Sequence, residues 1–231
     1  MMKTIGLIGG MSWESSLIYY KIINEKVREE LGGFHSAKCV MISLDFAEIE
    51  TLQMKNKWAK AAVLLIDAAK RATAASSECI VICTNTMHKL ADEIQEQIDI
   101  PLLHIADATA ERVKDLHITK IGLLGTRFTM EEDFYRGRLE KKFGLEVLIP
   151  DELEREIVHD VIYGELVKGI VREESRNQYR EIMNNMVRNG AKGIILGCTE
   201  IGLLIKEEDS SVPLFDTTII HAEKAVEFAL S

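Results

Sequence analysis

The sequence predicts an α/β protein built from two similar halves, each with a mostly parallel sheet flanked by helices. Short apolar runs that resemble strands alternate along the chain with longer amphipathic segments, which is the order expected of βαβ units. The motifs of the first half recur in the same order in the second half. The length of 231 residues is enough for one large domain or two small ones.

The composition excludes several classes of protein. With 47% hydrophobic and 28% charged residues, the chain resembles an ordinary globular protein rather than a disordered one. Its 37 acidic residues outnumber 28 basic ones, the net charge is -9 and no basic cluster is present, so we expect no nucleic-acid partner. No apolar run approaches the roughly 18–20 residues that cross a bilayer. We therefore expect a cytoplasmic protein with no membrane partner.

The strands and helices are predicted from the hydrophobic pattern. The strand-like runs are Thr4–Ile8, Cys39–Leu44, Cys79–Ile82, Lys120–Leu124, Glu146–Leu148 and Gly193–Leu196. The amphipathic segments with helical spacing include Ser15–Leu31, Trp58–Ala75 and Glu154–Ile170. Because these segments are long enough to be crossover helices, the strands they connect are expected to be parallel and covered on both faces.

An internal repeat divides the chain. TIGLIGG at Thr4–Gly10 is echoed by KIGLLGT at Lys120–Thr126, and CIVICTN at Cys79–Asn85 is echoed by GIILGCTE at Gly193–Glu200. Cys83 lies 77 residues after Gly6, and Cys198 lies 76 residues after Gly122. A proline and a short apolar run then follow each cysteine, at Pro101 and Pro213. Two copies of one fold are therefore predicted.

The repeat also predicts the domain boundaries. The second copy needs only residues from about 117 to 212, so the helical tail His221–Leu230 is left over and is expected to return to the first copy. The first domain is predicted to comprise residues 1–105 and 216–231, and the second to comprise residues 106–215. Open α/β sheets bind ligands at the carboxyl ends of their strands. We therefore expect the active site in the cleft between the two domains.

Cys83 and Cys198 are the main candidates for chemistry. Each ends a strand-like run and is followed by a threonine at the start of a helical stretch. The dipole and free N–H groups of a helix N-terminus stabilise anions, so we expect both thiols to ionise more easily than a free thiol. A small buried apolar side chain is the alternative for either cysteine alone, and the repeat favours the paired functional interpretation. Cys39 and Cys79 lack counterparts in the other half and are predicted to be core residues.

Other motifs are weaker. The glycines from Gly6 to Gly10 do not have the GxGxxG spacing of a dinucleotide site, and they indicate either close approach to a ligand or a tight turn. No phosphate loop and no metal-ligand spacing occurs, so no metal site is predicted. His88 is either a base for Cys83 or a residue at the cleft rim that helps to position a ligand or Cys83. Taken alone, Gln53 and Lys168 are predicted to be solvated side chains.

Several strings together resemble the aspartate/glutamate racemase family, and in particular its broad-specificity amino-acid racemase branch. The strings that carry this resemblance are GGMSWESS at Gly9–Ser16, CTNTMH at Cys83–His88, LLGTRFTM at Leu123–Met130 and GCTEIGLL at Gly197–Leu204. It continues through Leu103–Thr109, Glu131–Glu140, Ile149–Arg155 and Phe215–Glu223, and so covers essentially the whole chain.

The resemblance implies a racemase that needs no cofactor, with two pseudosymmetric α/β domains, catalytic cysteines at Cys83 and Cys198, an amino-acid substrate and a homodimeric assembly. The substrate-binding positions that it implies are Met11, Gln53, Thr84, Asn85, Thr86, Thr199 and Glu200. Lys168 occupies the position of a lysine that meets the side-chain carboxylate in aspartate-specific members. Those members also carry an arginine after the second strand, and Asp45–Glu50 contains none.

Three functions remain open. A racemase must remove the Cα proton on one face and return a proton on the other, which two opposed cysteines would do. An isomerase or decarboxylase of small diacids on the same fold would use one cysteine as a nucleophile. A catalytically silent module that binds amino acids is the third alternative.

Overall fold

A computed structural model describes the chain from Met1 to Ser231. The chain forms two compact units. The first comprises Met1–His104 together with His221–Ser231, and the second comprises Ile105–Ile220.

The first unit contains a three-stranded parallel sheet. Its strands are β1 (Ile5–Gly9), β2 (Cys39–Ser43) and β3 (Cys79–Ile82), in the order β2-β1-β3. Its helices are α1 (Trp13–Leu31), α2 (Phe46–Met54), α3 (Trp58–Ala74) and α4 (Ala91–Gln95), with a 3-10 turn at Thr86–Leu90. Helix α1 begins where it does because the Ser12 hydroxyl accepts a hydrogen bond from the Ser15 amide.

The second unit contains a four-stranded parallel sheet. Its strands are β4 (Lys120–Gly125), β5 (Glu146–Leu148), β6 (Ile194–Gly197) and β7 (Leu214–Asp216), in the order β5-β4-β6-β7. The helices that follow α4 are α5 (Ile105–Asp115), α6 (Arg127–Glu131), α7 (Arg138–Phe143), α8 (Glu152–Gly164), α9 (Glu173–Arg188), α10 (Ile201–Leu204) and α11 (Thr217–Leu230). Irregular helical turns occur at Asp133–Gly137, Leu166–Lys168 and Glu207–Asp209. The part of α11 from His221 onward belongs to the first unit.

The two sheets have the same order of strands. In each unit the first strand in sequence is flanked by the second and the third, so β1, β2 and β3 correspond to β4, β5 and β6. The fourth position differs, because Leu102 makes only an isolated bridge with Ile80, whereas Leu214–Asp216 forms a full strand. The predicted α/β fold with two parallel sheets flanked by helices is confirmed.

The first sheet is covered on both faces, and the alternation of side chains along its strands assigns each residue to a face. Ile80 and Ile82 pack into a cluster with residues of α2, α3 and α4. Cys79, Val81 and Cys83 pack into a second cluster with residues of α1 and the tail of α11. Cys83 therefore lies on the α1 and α11 side of its sheet.

One predicted helix is shorter than expected. The periodicity favoured a single helix over Glu154–Ile170, but α8 ends at Gly164 and a separate 3-10 turn follows. The start of α8 is fixed by a capping box between Asp151 and Glu154. The turn is closed by Gly169, whose φ of +70° is the left-handed conformation that glycine adopts without strain.

No helix in the structure is both long enough and apolar enough to cross a membrane.

Candidate functional site

Cys83 is fixed by the backbone at the end of β3. Its amide donates a hydrogen bond to the Ile8 carbonyl of β1 over 2.9 Å, and its carbonyl accepts one from the Ser15 hydroxyl of α1 over 3.0 Å. The thiol is fully buried, and its hydrogen-bond acceptor is the Val81 carbonyl oxygen at 4.0 Å. The strand and the start of α1 thus hold Cys83 from two sides.

The turn after Cys83 carries three of the predicted binding residues. Asn85 and Thr86 are buried and Thr84 is half-buried. The Thr84 carbonyl oxygen lies 2.8 Å from His88 Nδ1. Because a carbonyl oxygen only accepts, Nδ1 carries the proton and donates it. Of the two roles predicted for His88, this contact favours a positioning role, because it ties the ring to the backbone directly after Cys83.

The glycine turn after β1 is required by the protein's own backbone. Gly10 has a φ of +85°, and a Cβ at this position would collide with the carbonyl oxygen of Leu44. Its amide donates to the Ser16 hydroxyl over 2.8 Å. Met11 follows as a buried residue of the cluster that also contains Met87, and the Met11–Ser12 peptide bond is cis. The tight-turn interpretation therefore accounts for Gly10.

Gln53 is not the solvated side chain that the sequence alone predicted. It lies on α2 and only 5% of it is exposed, because α2 packs this face against the region after β3. Its Nε2 donates to the sulfur of Met87 over 2.8 Å, and its Oε1 is buried without a hydrogen-bond partner. A buried amide oxygen with no donor is rare because it loses its hydration without replacement. Gln53 thus joins the turn that follows Cys83.

Three histidines, of which the sequence motifs pointed only to His88, form a cluster in the first unit. The ring centroid of His88 lies 4.7 Å from that of His104 and 5.4 Å from that of His221. Burial lowers the pKa of His88 well below its usual value, and the neighbouring histidines lower it further. Since they are far apart in the chain, no local pattern could have revealed this cluster.

Cys198 lies at the corresponding point of the second unit, directly after β6. Its thiol donates a hydrogen bond to Glu200 Oε2 over 3.1 Å, and the Thr199 hydroxyl donates to the same oxygen over 2.6 Å. All three residues are buried. The Cys198 carbonyl accepts from the amide of Ile201, which begins α10. The sequence placed these residues side by side but did not predict the bond between thiol and carboxylate.

Asp216 is a further acidic group that acts on Cys198 through its charge and that no sequence motif indicated. It ends β7, and its Oδ1 accepts hydrogen bonds from the amides of Thr218 and Ile219 over 2.9 and 3.3 Å, which caps α11. Burial raises the pKa of its carboxyl group. Its charge also raises the pKa of the Cys198 thiol. The apolar run at Pro213, which repeats the run at Pro101, was the sequence signal that could have identified Asp216.

The expected lowering of the thiol pKa values is wrong for both cysteines. Burial raises the pKa of Cys83, and burial followed by the Glu200 carboxylate raises that of Cys198. The helices that follow are too short to offset this: a five-residue 3-10 turn after Cys83 and the four-residue α10 after Cys198. Desolvation of a thiolate therefore outweighs the helix dipole at both positions.

Lys168 ends the 3-10 turn after α8 and is exposed, without a side-chain hydrogen bond or ion pair. Its turn packs against α10, the helix that follows Glu200. Cys39 is half-buried and Cys79 is fully buried in the core of the first unit, and burial raises their thiol pKa values to about 11 and about 12. No group of three His, Cys, Asp or Glu side chains is arranged to hold a metal ion.

Comparison with known proteins identifies the family. A family model described as Asp/Glu/Hydantoin racemase matches residues 8–225. The structure of a candidate Asp/Glu racemase from Yersinia pestis is 56% identical over 100% of both chains, with a TM-score of 0.94. That of an aspartate racemase homologue from Pyrococcus horikoshii OT3 is 38% identical over 100% of both chains, with a TM-score of 0.87. The broad specificity amino-acid racemase RacX of Bacillus subtilis (strain 168) is 23% identical over 165 residues, which are 70% of this chain and 69% of that protein.

Two parallel sheets of matching strand order, each with a third strand that is followed by a buried cysteine and a threonine, define a two-domain α/β protein of the racemase type. The chain belongs to the Asp/Glu/hydantoin racemase family. The resemblance noted in the sequence is thereby confirmed, and the racemases among its relatives support an amino-acid racemase.

Proposed function

We propose that this protein interconverts L- and D-amino acids without a cofactor, with Cys83 and Cys198 as the two groups that exchange a proton with Cα. One observation carries the proposal. In each unit the third strand pairs with the first, and a buried cysteine followed by a threonine comes directly after that third strand. Because the two cysteines occupy equivalent positions in two copies of one fold, they are suited to the two mirror-related halves of a racemisation.

The chemistry requires two such groups. Inversion at Cα breaks a C–H bond on one face and forms a C–H bond on the other, so one thiolate accepts the proton while one thiol donates another. The two roles exchange when the opposite enantiomer binds. A thiol suits both roles because its ordinary pKa lies within about two units of neutral pH.

The raised thiol pKa values are consistent with a charge supplied by the substrate. Burial disfavours an isolated thiolate at Cys83 and at Cys198. The α-ammonium group of an amino acid brings a positive charge next to Cα, and a nearby positive charge lowers the pKa of a thiol. We therefore propose that the reactive thiolate forms efficiently only when the amino acid is bound.

The remaining family positions are proposed to bind the substrate. Thr84, Asn85 and Thr86 offer hydroxyl, amide and backbone groups to the amino acid, and Met11, Gln53, Thr199 and Glu200 complete the set. Lys168 is proposed to face a distal carboxylate of acidic substrates. Since α2 has no arginine to match the one in aspartate-specific members, the proposed range covers aspartate and glutamate and extends to other amino acids. A homodimer is proposed from the family resemblance, to be checked by sedimentation equilibrium.

The deciding experiment is a chiral-chromatography screen of the common L-amino acids in deuterium oxide. The protein is first dialysed against a chelator and receives no pyridoxal phosphate. We expect the D-enantiomer of at least one amino acid to accumulate with deuterium at Cα. A bound imine absorbance band, or activity only after metal is added, would contradict the cofactor-free proposal.

The same samples separate the alternative functions. An isomerase or decarboxylase with a cysteine nucleophile leaves a mass adduct on Cys83 or Cys198 when the reaction is quenched, whereas proton transfer leaves none. A silent binding module gives neither product nor deuterium exchange with any amino acid. Either result would overturn the proposed racemase.

A further inference from the structure

We propose that Glu200 is a positioning residue that holds the proton on Cys198, so that the first negative charge of the two cysteines forms on Cys83. This inference rests on the proposed function, because it assigns the two cysteines of that function unequal roles. It gives Glu200 a part other than substrate binding.

The geometry around the Glu200 carboxylate supports this role. Oε2 accepts two hydrogen bonds, from the Cys198 thiol over 3.1 Å and from the Thr199 hydroxyl over 2.6 Å. Both contacts use the carboxylate oxygen as the acceptor, which is its role in hydrogen bonds to a hydroxyl and a thiol. An oxygen that accepts from Sγ requires the sulfur to keep its proton. The bond therefore exists only with the thiol form of Cys198.

The other ionisable groups that face Cys198 also favour the thiol. Asp216, from the end of β7, acts on Cys198 with a negative charge, and Tyr179 of α9 is a neutral phenol whose pKa is raised by burial. The cations of this region are engaged or exposed: Lys206 bonds the Gly202 carbonyl, Arg176 bonds the Leu204 carbonyl, and Lys168 is exposed. A thiolate at Cys198 would thus be opposed by two carboxylates, that of Glu200 through direct contact and that of Asp216 through its charge.

Cys83 has no such neighbour. Its thiol donates only to the Val81 carbonyl oxygen, at the long distance of 4.0 Å. Burial is the main cause of its raised pKa, and the ionisable group that also acts on it is the thiol of Cys39. When the pair carries one negative charge, the charge therefore lies on Cys83, where no carboxylate opposes it.

In the proton transfer that follows, each bond that breaks is matched by a bond that forms. The Cys83 thiolate takes the α-proton as an S–H bond forms and the Cα–H bond leaves its electron pair on Cα. That pair accepts the proton of Cys198 on the opposite face, so a new Cα–H bond forms and Cys198 becomes a thiolate. Repulsion between this thiolate and Glu200 then favours return of the proton from solvent to Cys198 and loss of one from Cys83.

The test is a pH titration of the free protein with ¹³Cβ-labelled cysteine, followed by NMR. The Cβ shifts of the four cysteines report thiolate formation without a reagent that must reach a buried site, and Cys→Ser variants assign them. We expect Cys83 to titrate below Cys198 in the wild-type protein. In Glu200→Gln, which keeps an acceptor oxygen but removes the charge, we expect the Cys198 midpoint to fall by about one pH unit or more, with Cys83 moved less.

Glu208→Gln is the matched control, because Glu208 is an exposed carboxylate of the same unit without a hydrogen bond to Cys198. It should move neither cysteine. If the Cβ chemical shift of Cys198 is the same in the wild type and in Glu200→Gln at every pH, the inference is overturned. If Glu200→Gln fails to fold, the order of the two cysteine midpoints in the wild-type protein is the test. A Cys83 midpoint above that of Cys198 then overturns the inference.

A kinetic measurement separates this inference from the proposed function. In a pH profile of kcat/KM, the alkaline limb that reports loss of the donor proton should move down by the same amount in Glu200→Gln. If no amino acid is racemised by the wild type, the proposed function fails while the titration still tests the Glu200 bond. If racemisation occurs but the alkaline limb does not move, Glu200 does not hold the donor proton.

Discussion

His221 Nδ1 lies 2.9 Å from the hydroxyl oxygen of Tyr19. The other ring nitrogen, Nε2, lies 2.7 Å from the carbonyl oxygen of Leu103. Because the carbonyl only accepts, Nε2 carries the proton, and Nδ1 accepts the hydrogen of the Tyr19 hydroxyl. The neutral imidazole thus joins α1, the segment before α5 and the tail of α11 within the first unit.

This arrangement predicts acid sensitivity. Burial lowers the pKa of His221 to about 4, against 6.5 in the unfolded chain. Since the unfolded state binds the proton more tightly, the stability that the neutral ring provides is complete above about pH 6.5 and is lost as the pH falls toward 4. The loss reaches about 3 kcal/mol in the free energy of unfolding.

The measurement is urea unfolding at a series of pH values for the wild type and His221→Gln. Glutamine is uncharged and offers both a donor and an acceptor. Between pH 6.5 and 4, the slope of the free energy of unfolding against pH should therefore fall in this variant by the equivalent of about one proton bound on unfolding. His35→Gln, at an exposed histidine, should keep the wild-type slope. An unchanged slope in His221→Gln would show that this ring does not bind its proton on unfolding.

Gly10→Ala should destabilise the protein far more than Gly33→Ala. Both glycines have positive φ, +85° and +58°, but only at Gly10 would the added Cβ strike backbone, the Leu44 carbonyl oxygen. We expect about 1 kcal/mol for Gly33→Ala, from the left-handed conformation alone, and more than about 3 kcal/mol for Gly10→Ala. Thermal or urea unfolding checks this, and equal losses would mean that the turn relaxes freely.

Cys83→Ser and Cys198→Ser should each reduce racemisation by at least about 10³-fold, because a serine hydroxyl is too weak an acid to replace a thiol. Each variant keeps one cysteine, which can still remove and return a proton on its own face. We therefore expect the two variants to exchange the α-proton of opposite enantiomers in deuterium oxide, measured by mass spectrometry. Racemisation at the parent rate in either variant, or exchange of the same enantiomer by both, contradicts the two-base mechanism.

Lys168→Leu should reduce turnover of aspartate and glutamate more than that of neutral amino acids. The exposed ammonium has no partner in the protein and is free to pair with a distal carboxylate. Allowing for solvent screening, we expect a selective loss in kcat/KM of about tenfold. Lys192→Leu, at another exposed lysine of the second unit, controls for lost positive charge. Equal losses on acidic and neutral substrates would show that Lys168 does not recognise the side chain.

The sequence by itself determined the fold class and the placement of the cysteines on their strands. Strand position depends on local apolar runs, and two copies of one pattern, such as Thr4–Gly10 and Lys120–Thr126, specify two sheets of the same order. The boundaries of α8 were less accurate, because apolar spacing continues past Gly164 into the turn that carries Lys168. Periodicity detects a buried face but not the point at which a helix unwinds.

Only the tertiary structure decided the electrostatics of the candidate residues. The pKa of a thiol depends on how completely it is desolvated and which charges face it, and these come from elements distant in sequence, such as Asp216 beside Cys198. For the same reason the sequence, taken alone, predicted a solvated Gln53 and did not reveal the cluster of His88, His104 and His221, whereas packing buries Gln53 and brings the three histidines together. Local pattern selects which residues can do chemistry, and long-range packing sets the protonation state in which they do it.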